Sequence, residues 1–146
     1  MSSIEEQNKA MVAEYFEHYW GKANLDIVDK LCSDDFVINY SMQGPWKGKE
    51  AAKSMLSEFK EAFPNISFRA YQHPLIAEGP YVVGRWIGGG NPNTGKEMYF
   101  SDTTIFTLRD GKIVDETGEE GALTALQQLG LVQGPNPGKE VRYQLE

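Results

Sequence analysis

An α+β fold, with a strongly curved and mostly antiparallel sheet wrapped around helices, is what this sequence predicts. Three observations point there. Apolar residues recur at helical spacing through the early part of the chain, period-two alternation dominates the second half, and Asp110-Gly111 separates TTIFTL from KIV as a two-residue hairpin turn. Helices gathered ahead of long, glycine-punctuated strands suit a sheet that holds them on its concave side, with a cavity between the layers. The 146 residues, 40% hydrophobic and 12% aromatic, suffice for one domain with a real core. Residues 1–132 are expected to form that domain, and 133–146, with little apolar content, a surface tail.

The first helix starts with a capping signature, Ser2 or Ser3 followed three residues later by Glu5 or Glu6. Its apolar face is Met11, Val12, Tyr15, Phe16, Tyr19 and Trp20, and Gly21 to Asn24 break it. A second, shorter helix follows through Leu25, Ile27, Val28 and Leu31, with Cys32 on its buried side. DDFVINYS alternates like a strand, and MQGPWKGKE reads as a loop. Ala51, Ala52, Met55, Phe59, Ala62 and Phe63 mark a third helix that Pro64-Asn65 ends. ISFRAYQHPLIAEG is extended, Tyr81 to Ile87 is a strand, and GGGNPNTG is a hairpin loop. After the Asp110-Gly111 hairpin, Ala122 to Leu129 form the last helix, stopped by Gly130.

Composition excludes several functions. The net charge of −7 and the lack of a basic stripe argue against a nucleic-acid partner. One cysteine rules out an internal disulfide framework, and the two histidines, His18 and His73, have no metal-ligand spacing. Neither a signal peptide nor an apolar stretch of membrane length is seen, so a soluble cytoplasmic protein without a membrane partner is expected. Gly88 to Gly90 end a strand rather than open a helix, which disfavours a nucleotide cradle.

A tight turn at Asp110-Gly111 pairs Leu108 with Ile113, Phe106 with Asp115, Thr104 with Thr117 and Asp102 with Glu119. In that register Asp102, Asp115 and Glu119 share one face of the hairpin, and Glu116 and Glu120 share the other. A single β-bulge would exchange the two sets beyond it.

Several segments, VAEYFEHYWGKANLDIVDKLCSDDFV, AFPN, VVGRW and above all DGKIVDETGEEGALTALQQLG, run in the order of a known family. The chain resembles the SnoaL-like polyketide cyclases, or ester-cyclase-like proteins, of the ketosteroid-isomerase-like cone superfamily. The resemblance implies a cone-shaped α+β barrel, a homodimer formed through the sheet, and no metal or organic cofactor. It also implies intramolecular aldol cyclisation in some members, with an aspartate at the end of the last strand as acid/base and a histidine in the preceding hairpin region. Counted without gaps, Gly121 stands at that aspartate's position with Glu119 and Glu120 just before it, and GNPNTG carries no histidine.

Proton abstraction beside a carbonyl needs a carboxylate whose pKa an apolar wall lifts toward neutrality. Glu119, nearest the family's position, and Asp102, its cross-strand neighbour, are the candidate acid/base residues, with Asp115 and Thr117 on the same strand as binding groups. Tyr40 and Tyr99 are candidate neutral donors to an oxyanion, as are Tyr15 and Tyr19, and Asn39 is a further polar contact. Trp20, Phe59, Trp86 and Phe106 are expected to shape the chamber. The leading expectation is a cofactor-independent cyclase or isomerase for a small, apolar, carbonyl-bearing intermediate of polyketide or terpenoid type. The alternatives are a non-catalytic small-molecule-binding or dimeric interaction protein, and an epoxide- or lactone-opening hydrolase.

Overall fold

The computed structural model describes residues 2–40, 43–91 and 97–132. The expected tail and most of the GNPNTG stretch lie outside the described residues. The elements are α1 (Ile4–Phe16), a π-helical turn (Glu17–Gly21), α2 (Asp26–Leu31), β1 (Cys32–Tyr40), β2 (Gln43–Lys47), α3 (Lys49–Ala62), β3 (Ile66–Ala70), β4 (Ile76–Glu78), β5 (Tyr81–Gly90), β6 (Met98–Arg109), β7 (Lys112–Glu120) and α4 (Ala122–Gln128). The strands form one curved, unclosed sheet in the order β2-β1-β7-β6-β5-β3, and β4 shares the outer edge of β5. β1 and β7 pair in parallel, and the remaining pairs are antiparallel. The α+β expectation holds.

Helix α1 begins as its cap predicts, with Ser3 Oγ accepting from the Glu6 amide at 3.1 Å. It does not stop at an α-helical end but widens into the π turn that carries Tyr19 and Trp20. In an α-helix, residues five apart lie on different faces; a π turn brings them toward one face. Tyr15 and Trp20 both point into the sheet for this reason.

Two segments read as loops are strands. In β2, Pro45 lies on an edge strand, where its missing N–H leaves no ladder partner unsatisfied. In β5, Gly88 stays in the ladder because Phe68 and Phe100 lie against its backbone; a Cβ there would sit 2.5 Å from the Phe68 ring. Cys32 is buried as expected, yet it opens β1 instead of riding on α2.

The main core lies between the helices and the concave face. Val12, Tyr15, Phe16, Tyr19, Trp20, Phe36 and Phe106 fill it, and Trp86 stacks flat on Phe16 with ring centroids 3.4 Å apart. Burying aromatic rings of this size stabilises the fold by about 1.5–3 kcal/mol each from area alone. A second, smaller cluster of Ile66, Met98 and Ala125 sits under α4 with Phe59, Phe63 and Phe100 packed against it. Among the described residues, no helix is long and apolar enough to cross a membrane.

The hairpin β6–β7 corrects the expected register. Asp110 and Gly111 take positive φ of 52° and 71°, as a type I′ turn requires, and Leu108 faces Ile113 as predicted. One step later Thr107 faces Asp115, so Val114 is an extra residue on β7. Every pair beyond it moves by one: Phe106 faces Glu116, Thr104 faces Gly118 and Asp102 faces Glu120.

Candidate active site

Because the bulge inverts the alternation of β7, Glu116, Gly118 and Glu120 point to the concave side, and Asp115, Thr117 and Glu119 point away from it. Glu119 is therefore exposed on the outer face and does not meet Asp102. Asp115 and Thr117 are also on the outer face, where the Thr117 hydroxyl donates to Asp115 at 2.6 Å. Asn39 joins them, exposed on β1 between the inward-facing Ile38 and Tyr40. Tyr99 alternates with the inward Met98 and Phe100, so it too lies on the outer side of β6. Its backbone N–H donates to Gln128 Oε1 at 2.6 Å, an anchor for α4.

The concave face brings together a different set. Glu116 is 0% exposed and accepts three hydrogen bonds. Tyr15 Oη donates to Oε1 at 2.6 Å, Trp20 Nε1 donates to Oε2 at 2.9 Å, and Tyr40 Oη donates to Oε2 through a short contact. Tyr40 Oη also lies 3.2 Å from Thr104 Oγ1, which in turn donates to Asp102 Oδ1 at 3.2 Å. A chain of polar atoms thus runs Glu116–Tyr40–Thr104–Asp102 across β7, β1 and β6. Two of the expected residues, Asp102 and Tyr40, belong to it, and Trp20 joins it through its indole N–H.

Room for this chain comes from Gly118. A Cβ there would fall 2.5 Å from Tyr40 Cε1 and 2.8 Å from Thr104 Oγ1. Gly118→Ala is expected to destabilise the protein by about 1–3 kcal/mol, as overpacked core sites do, in urea denaturation. An unchanged midpoint would show that Tyr40 moves aside freely.

Burial sets the electrostatics. Glu116 is pushed up to about 7 by loss of solvent, against the pull of its Tyr15, Tyr40 and Trp20 hydrogen bonds. Asp102 is pushed up to about 8, first by burial and then by the charge of Glu116; Glu120 adds to the rise, and Thr104 and Arg85 oppose it. The phenols of Tyr15 and Tyr40 are held well above their ordinary range by burial and by the facing Glu116. They remain donors at any physiological pH.

Between α3, α4 and the ends of β6 and β7 the concave face opens into a groove of about 240 Å³. Phe59, Phe63, Met98, Phe100 and Ala125 make it apolar, and Glu120 is the carboxylate on its wall. Asp102 is the next inward residue after Phe100 and faces Glu120 across the ladder. Of the four expected chamber aromatics, Phe59 lines the groove. Trp20, Trp86 and Phe106 are buried in the main core. Glu116 and Glu120 were legible only as the alternative set beyond a bulge, and Thr104 carried no signal beyond its place in the hairpin.

A model of the SnoaL-like polyketide cyclase family matches residues 10–129. No curated protein matches the sequence. Among solved structures, a candidate SnoaL-like polyketide cyclase from Jannaschia sp. CCS1 is 22% identical, with a TM-score of 0.79 over 90% of this chain and 97% of the other. A candidate polyketide cyclase from Bacillus cereus ATCC 10987 is 26% identical, with a TM-score of 0.76 over 90% of this chain and 87% of the other. An epoxide hydrolase of M. tuberculosis, named LEH-like, shares the fold at 17% identity and a TM-score of 0.69, over 87% of this chain and 92% of the other.

Proposed function

Because this chain belongs to the SnoaL-like polyketide cyclase family, we propose that it is a cofactor-independent cyclase or isomerase acting on a small, largely apolar, carbonyl-bearing metabolite. Asp102 is the acid in this reading and Glu120 the base. The observation that carries it is a carboxyl lifted to about 8, next inward on β6 from the groove-lining Phe100, with Glu120 on the groove wall facing it across the ladder.

At neutral pH Asp102 holds its proton, and a neutral carboxylic acid in a dry site donates to a carbonyl oxygen better than water does. Glu120 takes the proton from the carbon next to that carbonyl. In a cyclisation the enol attacks a second carbonyl of the same molecule, whose oxygen takes the proton from Glu120 while the enol's hydroxyl proton leaves to Asp102. In an isomerisation Glu120 returns its proton at another carbon, and the hydroxyl proton again leaves to Asp102. Phe59, Phe63 and Phe100 pack the carbon skeleton and hold a flexible chain folded. A second copy of the chain on the outer face of the sheet, where Ile105 and Tyr81 are exposed, belongs to the same reading.

The test uses a simple apolar ketone. 2-Tetralone in deuterated buffer is expected to exchange its α-hydrogens faster with the protein than without it, with saturation in ketone, when followed by NMR. Ala125→Phe, which fills the groove, is expected to remove both saturation and exchange. Saturable binding without any exchange would mean that the groove binds and does not catalyse.

A further inference from the structure

We propose that Glu116, Tyr40, Thr104 and Asp102 form a one-proton relay, through which Asp102 is reloaded from a carboxyl sealed away from water. The proposal rests on the reading that Asp102 gives its proton to substrate, but its physical content does not.

The number of hydrogens along the chain limits its states. A hydroxyl has one hydrogen to donate. If Thr104 donates to Asp102, its contact with Tyr40 is bonded only when Tyr40 donates to Thr104. Tyr40 then has no hydrogen for Glu116, and Glu116 must supply one, so it is protonated. If Tyr40 donates to Glu116 instead, Thr104 donates to Tyr40, and Asp102 must supply the hydrogen to Thr104. The chain therefore has two fully bonded states, one with the proton on Asp102 and one with it on Glu116. Going from the second to the first, the Glu116 O–H bond breaks as its hydrogen passes to Tyr40. The Tyr40 hydrogen passes to Thr104 and the Thr104 hydrogen to Asp102. No hydrogen is gained or lost.

The surroundings favour sharing over independent ionisation. Glu116 is faced by Tyr15 from α1, by Tyr19 and Trp20 from the π turn, and by Cys32 and Tyr40 from β1. Asp115, its neighbour on β7, raises it further. No cation is among these groups. Asp102 faces Glu116 and Glu120, and Arg85 of β5 opposes them. Two carboxyls linked in this way titrate as a pair. Glu116 is 0% exposed and Asp102 is 8% exposed, so the chain links a sealed carboxyl to a slightly exposed one.

Carboxyl carbon NMR on protein labelled at aspartate and glutamate reads this directly, with Glu116→Gln identifying the line. In the wild type, the Glu116 line is expected to move as one averaged signal around pH 7, because relay exchange is fast. Thr104→Val keeps the side-chain shape and removes the hydroxyl. It is expected to lose that averaging, leaving separate or broadened lines for the two forms, and Tyr40→Phe is expected to do the same. Thr104→Ser is expected to restore the single moving line. A single sharp moving line in both Thr104→Val and Tyr40→Phe overturns the relay, as does a split line in the wild type or in Thr104→Ser. A wild type that averages here but exchanges no hydrogen into 2-tetralone keeps the relay and removes the enzyme reading. The opposite pattern does the reverse.

Discussion

Asparagine in place of Asp102 is expected to lower α-hydrogen exchange by about 10²–10⁴-fold while making the protein more stable above neutral pH. The loss follows from removing the acid and leaving the shape. The gain follows from linkage. In the unfolded chain this carboxyl ionises near the ordinary aspartate value, but in the folded protein it holds its proton until about 8. Its contribution to stability is therefore complete at low pH, falls as pH rises between those two values, and levels off above the second. Asparagine cannot ionise and carries no such penalty. At pH ~8.5 the variant is expected to exceed the wild type by on the order of 2–4 kcal/mol, narrowing to nearly nothing at pH ~4. Urea denaturation at both pH values checks this, and parallel curves for the two proteins would remove Asp102 as a shifted group. The wild-type exchange rate should also fall as pH rises through about 8, since the acid proposed for Asp102 acts in its protonated form.

Glu116→Leu is expected to be the most damaging single change in the core, at about 3–5 kcal/mol. Leucine fits the space approximately, yet it strands three donors that are sealed from water: the hydroxyls of Tyr15 and Tyr40 and the indole N–H of Trp20. Each orphaned donor costs about 1–3 kcal/mol, and the costs overlap because the groups relax together. Glu116→Gln keeps one oxygen acceptor and turns one donor-facing atom into a donor, so an intermediate loss of about 1–2 kcal/mol is expected. The pH dependence separates this from a simple packing defect. Glu116 holds its proton up to about 7 in the folded state, so wild-type stability falls between its unfolded value and that point. Glutamine lacks this fall, and the gap to wild type should narrow as pH rises. Equal midpoints for the Leu and Gln variants would show that the three donors find other partners.

The fold was legible because it rests on patterns longer than any local irregularity. The aromatic face of α1, the alternation of β5 and β6 and the Asp110-Gly111 turn each fix one element, and together they fix the layers. The candidate site was legible only up to one residue. Val114 carries no mark that distinguishes a bulge from a regular strand position, yet it decides whether Glu116 or Glu119 enters the core. Asp102 lies on β6, which continues without a break in alternation, so it faces the concave side in either register of β7. Tyr40 faces the same side because β1 keeps its alternation through Ile38 and Tyr40. Asn39 and Tyr99 sit at odd positions of sound strands, where the inward or outward choice depends on the neighbouring element. The π turn was invisible for a similar reason, since Tyr19 and Trp20 fit an α-helical face almost as well.

The buried carboxylate of Glu116 also has a bearing on time. Its partners Tyr15, Trp20 and Tyr40 lie 101, 96 and 76 residues before it in the chain. A nascent chain exposes the aromatic face of α1 and the π turn, together with Tyr40 of β1, until β7 has been made and brings Glu116 to their three polar tips. Contacts of such long separation are late events in folding, because the loops they close are entropically expensive. Chains truncated before β7 are thus the ones most in need of a chaperone, and the same strand that supplies Glu116 and Glu120 is the one that ends this exposure.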